Sequence, residues 1–435
     1  MFSHKVAKNA SWIIGCRIAQ AVIGLIVGML TARYLGPSNF GVINYAASLV
    51  TFVTPIMQLG LNDVMVQELV NNPEKDGEIL GTSILMSSLS AIFCAAGLFV
   101  TVSFLNAGET ETIIVCCLYS TILIFQAAEL TQYWFQSKYL SKYTSLAAFA
   151  AYMAVAAYRV YLLVSGKSVY WFAVSNSFAA VLIAGSYFVL YKKNGGGLFK
   201  ISLSTAKRLF AKSYFYIFAA LMVVVFAQTD RVMIKNMLGN AETGYYSAAI
   251  TCAGMTTFVF AALIDSFRPL IFEKKKIGGE GYENSVTSLY SVIIYLALAQ
   301  SVVMTVFAPF IIKILYGAAY APSVGVLQII VWYTTFSYLG SARSIWILAE
   351  SKQKYLWLIH LLGVVANVAL NFALIPLWGI NGAAVASVIT QFIVNIGSGW
   401  IVKPIRFNNV LIFRALNPKY LKLIASRLRK GPQVG

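Results

Sequence analysis

Three arginines, Arg17, Arg159 and Arg343, interrupt long apolar stretches of this chain. A charge at the centre of a membrane helix costs roughly 2.5–3.5 kcal/mol on insertion scales, so charges kept there are candidates for function. A guanidinium is always protonated and grips phosphate oxygens through paired N–H donors. Three of them, against few deep acids, predict a cavity tuned for an anion. Arg159, toward the end of its stretch, has the alternative of reaching the interface with its head group. Glu129, with Gln126 and Gln132 close by, reads either as a proton- or cation-coupling carboxyl or as a structural partner of Arg17. Gln20 shares a helical face with Arg17, Gly24, Gly28 and Thr31. Farther on, Asn367 and Asn371 follow His360 and Gly363 at helical spacing, and Ser387, Gln391 and Asn395 form a second stripe. Such amides suit sugar hydroxyls or interhelical hydrogen bonds. Asp63, the Asp230-Arg231 pair, Asp265 and Arg268 fall at the ends of apolar stretches, where gating competes with end-capping. Asp265 and Arg268, at i and i+3, are spaced to pair. The sequence has no phosphate-binding P-loop, zinc-ligand cluster or nucleophile elbow. No catalytic residue, metal or cofactor is therefore expected, and any uphill work falls either to a coupled ion, proton or sodium, or to downstream consumption of the product.

These residues sit in a chain that is 59% hydrophobic and 11% charged, with a mean hydropathy of +0.75. Soluble domains are near half apolar and a quarter charged. The apolar runs have about 20 residues and do not alternate, which excludes barrel strands and predicts an all-α integral membrane protein. Twelve transmembrane helices are expected, over roughly 11–31, 40–62, 79–104, 112–135, 143–164, 169–190, 213–234, 245–267, 286–312, 323–349, 355–376 and 381–402. With both termini cytoplasmic, 25 of the 33 Lys and Arg residues fall on the inner side. Only Arg33, Lys167, Arg231, Lys235 and Lys313 fall outside, as the positive-inside bias requires. The net charge of +18 thus follows membrane topology, not nucleic acid. The five cysteines all lie in apolar runs without metal-ligand spacing and read as packing residues. The first helix is too long for a signal-peptide core and is expected to stay in the protein.

The most basic internal connection, 192–212, contains Gly195-Gly196-Gly197 and divides the chain at its midpoint. It separates a six-helix lobe at 1–191 from a second at 213–402. A basic amphipathic tail at 403–435 reads as an interfacial segment on the anionic inner leaflet or as a solvated tail. The lobes carry a faint repeat at an offset of 203. Leu35-Gly36 falls on Leu238-Gly239, Gly41 on Gly244, and Ala46 on Ala249. An even number of helices per lobe makes the repeats parallel, related by an axis along the membrane normal.

The turn A-R-Y-L-G-P-S-N-F-G at Ala32–Gly41, before N-Y-A-A-S, resembles the Wzx-type polysaccharide-unit flippases of bacterial envelopes. So does G-I-N-G-A-A-V-A-S at Gly379–Ser387. These belong to the superfamily of multidrug-and-toxin extruders and lipid II flippases. The resemblance implies two six-helix lobes around a central cationic cavity. It also implies alternating-access transfer of polyprenyl-pyrophosphate-linked oligosaccharide units across the cytoplasmic (inner) membrane, for O-antigen, capsule or similar surface polysaccharide. Arg17 corresponds by position to the first-helix arginine of lipid II flippases, which usually have fourteen helices. Expected partners are the lipid-linked oligosaccharide, membrane lipids, a polysaccharide polymerase and a chain-length regulator. Two other readings stay open: an ion-coupled exporter of small molecules, which calls for an acid-rich cavity, and a lipid II flippase. A non-transporting scaffold is disfavoured by the short loops.

Overall fold

The computed structural model describes residues 2–421, and side chains at 15, 16 and 19–421. The described chain is helical throughout, in two compact units, 1–244 and 245–435. In the first unit α1 (Phe2–Met57) is followed by the short α2 (Met65–Asn71), α3 (Asp76–Leu105), the stack α4 (Thr110–Ser120), α5 (Ile122–Gln126) and α6 (Gln132–Ser137), then α7 (Ser141–Val164), α8 (Val169–Lys193) and α9 (Leu203–Leu238). α10 (Asn240–Ala253) begins in the first unit and leads into the second. There follow α11 (Thr257–Ile277), α12 (Gly279–Leu315), α13 (Ser323–Ala349), α14 (Leu356–Phe392), α15 (Ser398–Ile401) and α16 (Arg406–Arg414).

Among the described residues nine segments are long and apolar enough to cross a membrane. Two of them, at α1 and in the run containing α14, are each broken by one non-helical glycine, Gly36 and Gly379, and so supply two passes apiece. α13 is long enough but more polar, with Thr334, Thr335, Ser337, Ser341 and Arg343 along it. Counting α13 and both halves of the two broken runs gives the twelve expected passes.

The repeat is visible in the backbone. Gly36 has φ 72° and ψ 173°; Gly239, 203 residues later, has φ 110° and ψ −170°. Positive φ with extended ψ is glycine territory, so one kind of break ends the first pass of each repeat. The segments after the two breaks cross with backbones in contact. A Cβ on Gly41 would overlap the Asn240 carbonyl, and a Cβ on Gly244 would overlap that of Pro37. The offset carries Pro37 onto Asn240 and Gly41 onto Gly244, so the two contacts are the same contact with the repeats exchanged.

The boundary between the compact units lies at 244/245, beyond α9, whereas the sequence reading divides the lobes within 192–212. α9 is held within the first unit at both ends. Near its start, Glu68 on α2 pairs with Lys212 and lies 3.6 Å from Arg208, Thr205 donates to Glu78, and Ser213 Oγ donates to the Leu59 carbonyl at 2.7 Å. Toward its other end, Ser48 and Gln228 hydrogen-bond at 3.0 Å, and Lys235 binds both oxygens of Glu109 at 2.9 and 2.7 Å. The glycine run before α9 forms a strap along α3. Lys200 N–H donates to the Gly77 carbonyl (3.2 Å), Ser202 N–H to Thr82 Oγ1 (3.1 Å), and Tyr191 Oη to the Gly197 carbonyl (2.9 Å). Gly77 and Gly81 leave room for it, since a Cβ on either would overlap a strap carbonyl.

The beginning of the basic tail docks too. α16 buries Asn408, Asn409, Leu411 and Ile412 in the second unit, and Arg414 pairs with Glu283 at 2.7 Å. Residues 422–435 of the tail lie outside the described residues.

Candidate functional site

The short turn 165–168 makes α7 and α8 an antiparallel hairpin. Residues equally distant from its centre near Lys167 then share a depth, which brings Arg159 opposite Ser175 and Asn176. Arg159 Nε donates to Ser175 Oγ (2.9 Å) and Nη2 to Asn176 Oδ1 (2.8 Å), while Ser175 Oγ passes its own proton to the Phe172 carbonyl (2.7 Å). Tyr119 of α4 and Tyr152 of α7 lie within electrostatic reach of the guanidinium. No carboxylate among the described residues comes within 4.0 Å of it. Its protein partners are neutral, and Nη1 makes no hydrogen bond to the described protein. Neutral oxygens orient a guanidinium without cancelling its charge, so the group keeps its capacity for an anion.

The same hairpin meets α1. Gly24 leaves the room that the Tyr152 hydroxyl occupies, and a Cβ there would overlap it. Gln20, one turn earlier on that face, is half-buried. The Arg17 side chain lies outside the described residues. Glu129 sits where α4–α6 loses its α-helical ladder, in the 3-10 turn Ala127–Thr131. Tyr133 and Tyr187 are in electrostatic reach of it, and the buried Gln126 Oε1 nearby has no protein partner. Thr121, at the first break of the stack, hydrogen-bonds Ser177 on α8 at 2.6 Å. A pass interrupted at membrane depth beside a carboxylate and tyrosines is how transporters assemble ion and substrate sites from backbone and side chains. The first unit carries Gln20 on α1, Arg159 on α7 and Glu129 in the α4–α6 stack, and Arg159 and Glu129 are not in ion-pair contact.

The other expected site residues are placed differently. Arg343 is 2% exposed in the second unit. Its Nη1 donates to the carbonyls of Val394 (2.9 Å) and Asn395 (3.1 Å) and to Ser398 Oγ (3.1 Å). Asn367 and Asn371 are buried against each other, Asn371 Nδ2 donating to Asn367 Oδ1 at 3.1 Å. Gln391 accepts from Asn395 Nδ2 at 2.6 Å. Asp265 and Arg268 pair at 3.0 Å as their spacing anticipates, both more than half exposed. Asp63 is exposed at the close of the turn Leu61–Asp63. Asp230 is buried, and Arg231 donates to Gln228 at 2.8 Å, the residue that also holds Ser48.

Sequence reasoning missed the Glu109–Lys235 pair, because both residues read as ordinary charges in turns. Lys235 has a side chain 2% exposed, Glu109 one 45% exposed, and Thr112 Oγ1 donates to Glu109 at 2.8 Å. Burial pushes the Glu109 carboxyl up, but the hydrogen bonds from Lys235 and Thr112 and the Lys235 charge outweigh it and hold the carboxyl below its usual range. It also missed Ser175 and Asn176, which the hairpin spacing opposite Arg159 would have revealed.

Residues 6–275 match the family model described as polysaccharide biosynthesis protein. No curated protein sequence matches. Among solved structures, a lipid II flippase MurJ in an inward closed conformation superposes with a TM-score of 0.70 at 14% identity, over 93% of this chain and 90% of that one. An inward-facing MATE-family multidrug resistance transporter of the MOP superfamily gives 0.61 at 12% identity, over 95% and 96%. The eukaryotic MATE transporter AtDTX14 gives 0.58 at 12% identity, over 96% and 99%. At these identities the likeness establishes the two-lobed transporter fold, and the family match, which spans more than half of the sequence, establishes kinship: the chain belongs to the polysaccharide biosynthesis protein family.

Proposed function

We propose that this protein is a flippase that moves polyprenyl-pyrophosphate-linked oligosaccharide units across the bacterial cytoplasmic membrane by alternating access, for assembly of O-antigen, capsule or a similar surface polysaccharide. The observation that carries the reading is Arg159, a guanidinium within the membrane-length helix α7 with neutral partners and, among the described residues, no carboxylate in contact. It would hold the pyrophosphate together with Arg17, while Gln20 and Asn176 meet the sugars. The polyprenyl chain stays in lipid. Glu129, in the broken pass, would couple a proton or sodium ion to the cycle. The crossed turns at Gly41 and Gly244, with Glu109–Lys235, would close the outer side, and Glu68 with Lys212 and Arg208 the inner side, both termini being cytoplasmic. A polymerase and a chain-length regulator would receive the product. A cationic drug needs carboxylates in the cavity, and the neutral surroundings of Arg159 favour an anion instead.

The test is leaflet transfer of a fluorescent polyprenyl-pyrophosphate glycan in vesicles containing the purified protein. Arg159→Ala should reduce transfer at least tenfold, and Arg159→Lys should only partly restore it, because an ammonium lacks the planar fork. Full transfer by Arg159→Ala with normal folding would refute the reading.

A further inference from the structure

The last membrane pass does not end as a regular helix. Ile393–Gly397 forms a π turn between α14 and α15. Such a turn carries one residue more than the α-helix it interrupts and tips its carbonyls out of the ladder. Three successive carbonyls here accept from side chains of other helices. Arg343 Nη1, from α13, serves Val394 (2.9 Å) and Asn395 (3.1 Å). Asn409 Nδ2, from α16, serves Ile396 (2.9 Å). Ser398 Oγ accepts from the same Arg343 nitrogen and donates to Val394 O at 2.6 Å.

The neighbouring backbones are cut away to admit this arrangement. A Cβ on Gly340 of α13 would overlap the Asn395 carboxamide, and one on Gly399 of α15 would overlap that of Asn409. Asn408 anchors α16 from the other side, donating to Tyr290 Oη of α12 at 2.6 Å. Arg343 has no carboxylate partner among the described residues; its contacts are with the bulge.

We infer that Arg343 and Asn409 are positioning residues that hold the last pass in its bulged register, and that α16 is a clip on the membrane bundle rather than a loose tail. One extra residue rotates everything beyond it by about 100°. The bulge therefore decides how the Gln391–Asn395 pair sits against α13 and where α16 docks.

The full-length protein in lipid nanodiscs tests this with Asn409→Leu, Arg343→Leu and deletion of Ile393, which removes the extra residue. Asn409→Leu should speed hydrogen exchange of amides 394–402 by about tenfold, the loss of one buried hydrogen bond, and leave α12 unchanged. Unchanged exchange at 394–402 overturns the clip. Arg343→Leu should lower the melting temperature in the parent and much less in the deletion background, where no carbonyls need capping. An equal loss in both overturns the role of Arg343. The deletion variant, if folded, should not transfer the lipid-linked glycan that the parent transfers, and parental transfer would show that the bulge is dispensable. This last readout rests on the flippase reading. If the parent transfers nothing, that reading falls, while exchange and melting still judge the clip. If the deletion variant does not fold, Asn409→Leu exchange decides.

Discussion

The Glu109–Lys235 pair makes an asymmetric prediction. Its two charges are equally strong but unequally placed: the lysine side chain is 2% exposed and the glutamate 45%. Removing one partner of a buried pair strands the other, at a cost of about 3–5 kcal/mol. Glu109→Gln leaves the buried ammonium facing a neutral amide, with the Tyr45 ring at 5.7 Å as further support, and should approach that figure. Lys235→Met leaves a half-exposed carboxylate that can turn to water, and methionine fills the lysine's channel; it should cost about 1 kcal/mol or less. Thermal unfolding in detergent at pH 7 gives the ranking. A pH series adds a sign. The Glu109 carboxyl is held below its usual value in the folded protein, so its contribution is complete above the unfolded value near 4.5 and fades as pH falls through the lower folded value. Glu109→Gln should remove that part of the acid sensitivity. If Lys235→Met proves as damaging as Glu109→Gln, burial is not what governs this pair.

Two further substitutions read other contacts. Gly41→Ala must push Cβ against the Asn240 backbone and should cost about 1–3 kcal/mol, whereas Gly97→Ala, with nothing within 4 Å, should be neutral or slightly stabilising; equal melting temperatures would remove the crossing from the list of tight contacts. Asp265→Ala, breaking a pair whose members are 66% and 52% exposed, should shift stability by about 0.5 kcal/mol or less, so a larger drop in the melting temperature would mean that the pair is shielded from water.

What the sequence discloses here is whatever residue type alone determines. Long apolar runs mark passes, a glycine followed by proline or asparagine marks the breaks at Gly36 and Gly239, and i, i+3 spacing marks the Asp265–Arg268 pair. Arg343 shows the limit. Its partners are backbone carbonyls released by a π turn, and a carbonyl has the same letter-code silence at every position. Gly195–Gly197 looks like slack chain because glycine permits freedom, yet the strap it opens lies along α3, where Gly77 and Gly81 permit close approach. Lys235 and Glu109 are 126 positions apart, and nothing local says that they meet. Arg159 was legible as a charge, and its neutral cradle was legible in principle from the length of one hairpin.

The reciprocal glycine crossing ties two distant stretches of chain to one requirement. When residue 41 of one segment meets residue 240 of another, and 244 meets 37 in return, the local geometry is that of a dyad. A side chain added at either glycine lands on a main-chain carbonyl, which cannot swing aside as a flexible side chain can. The two positions are therefore constrained by the same close approach, however different the residues around them.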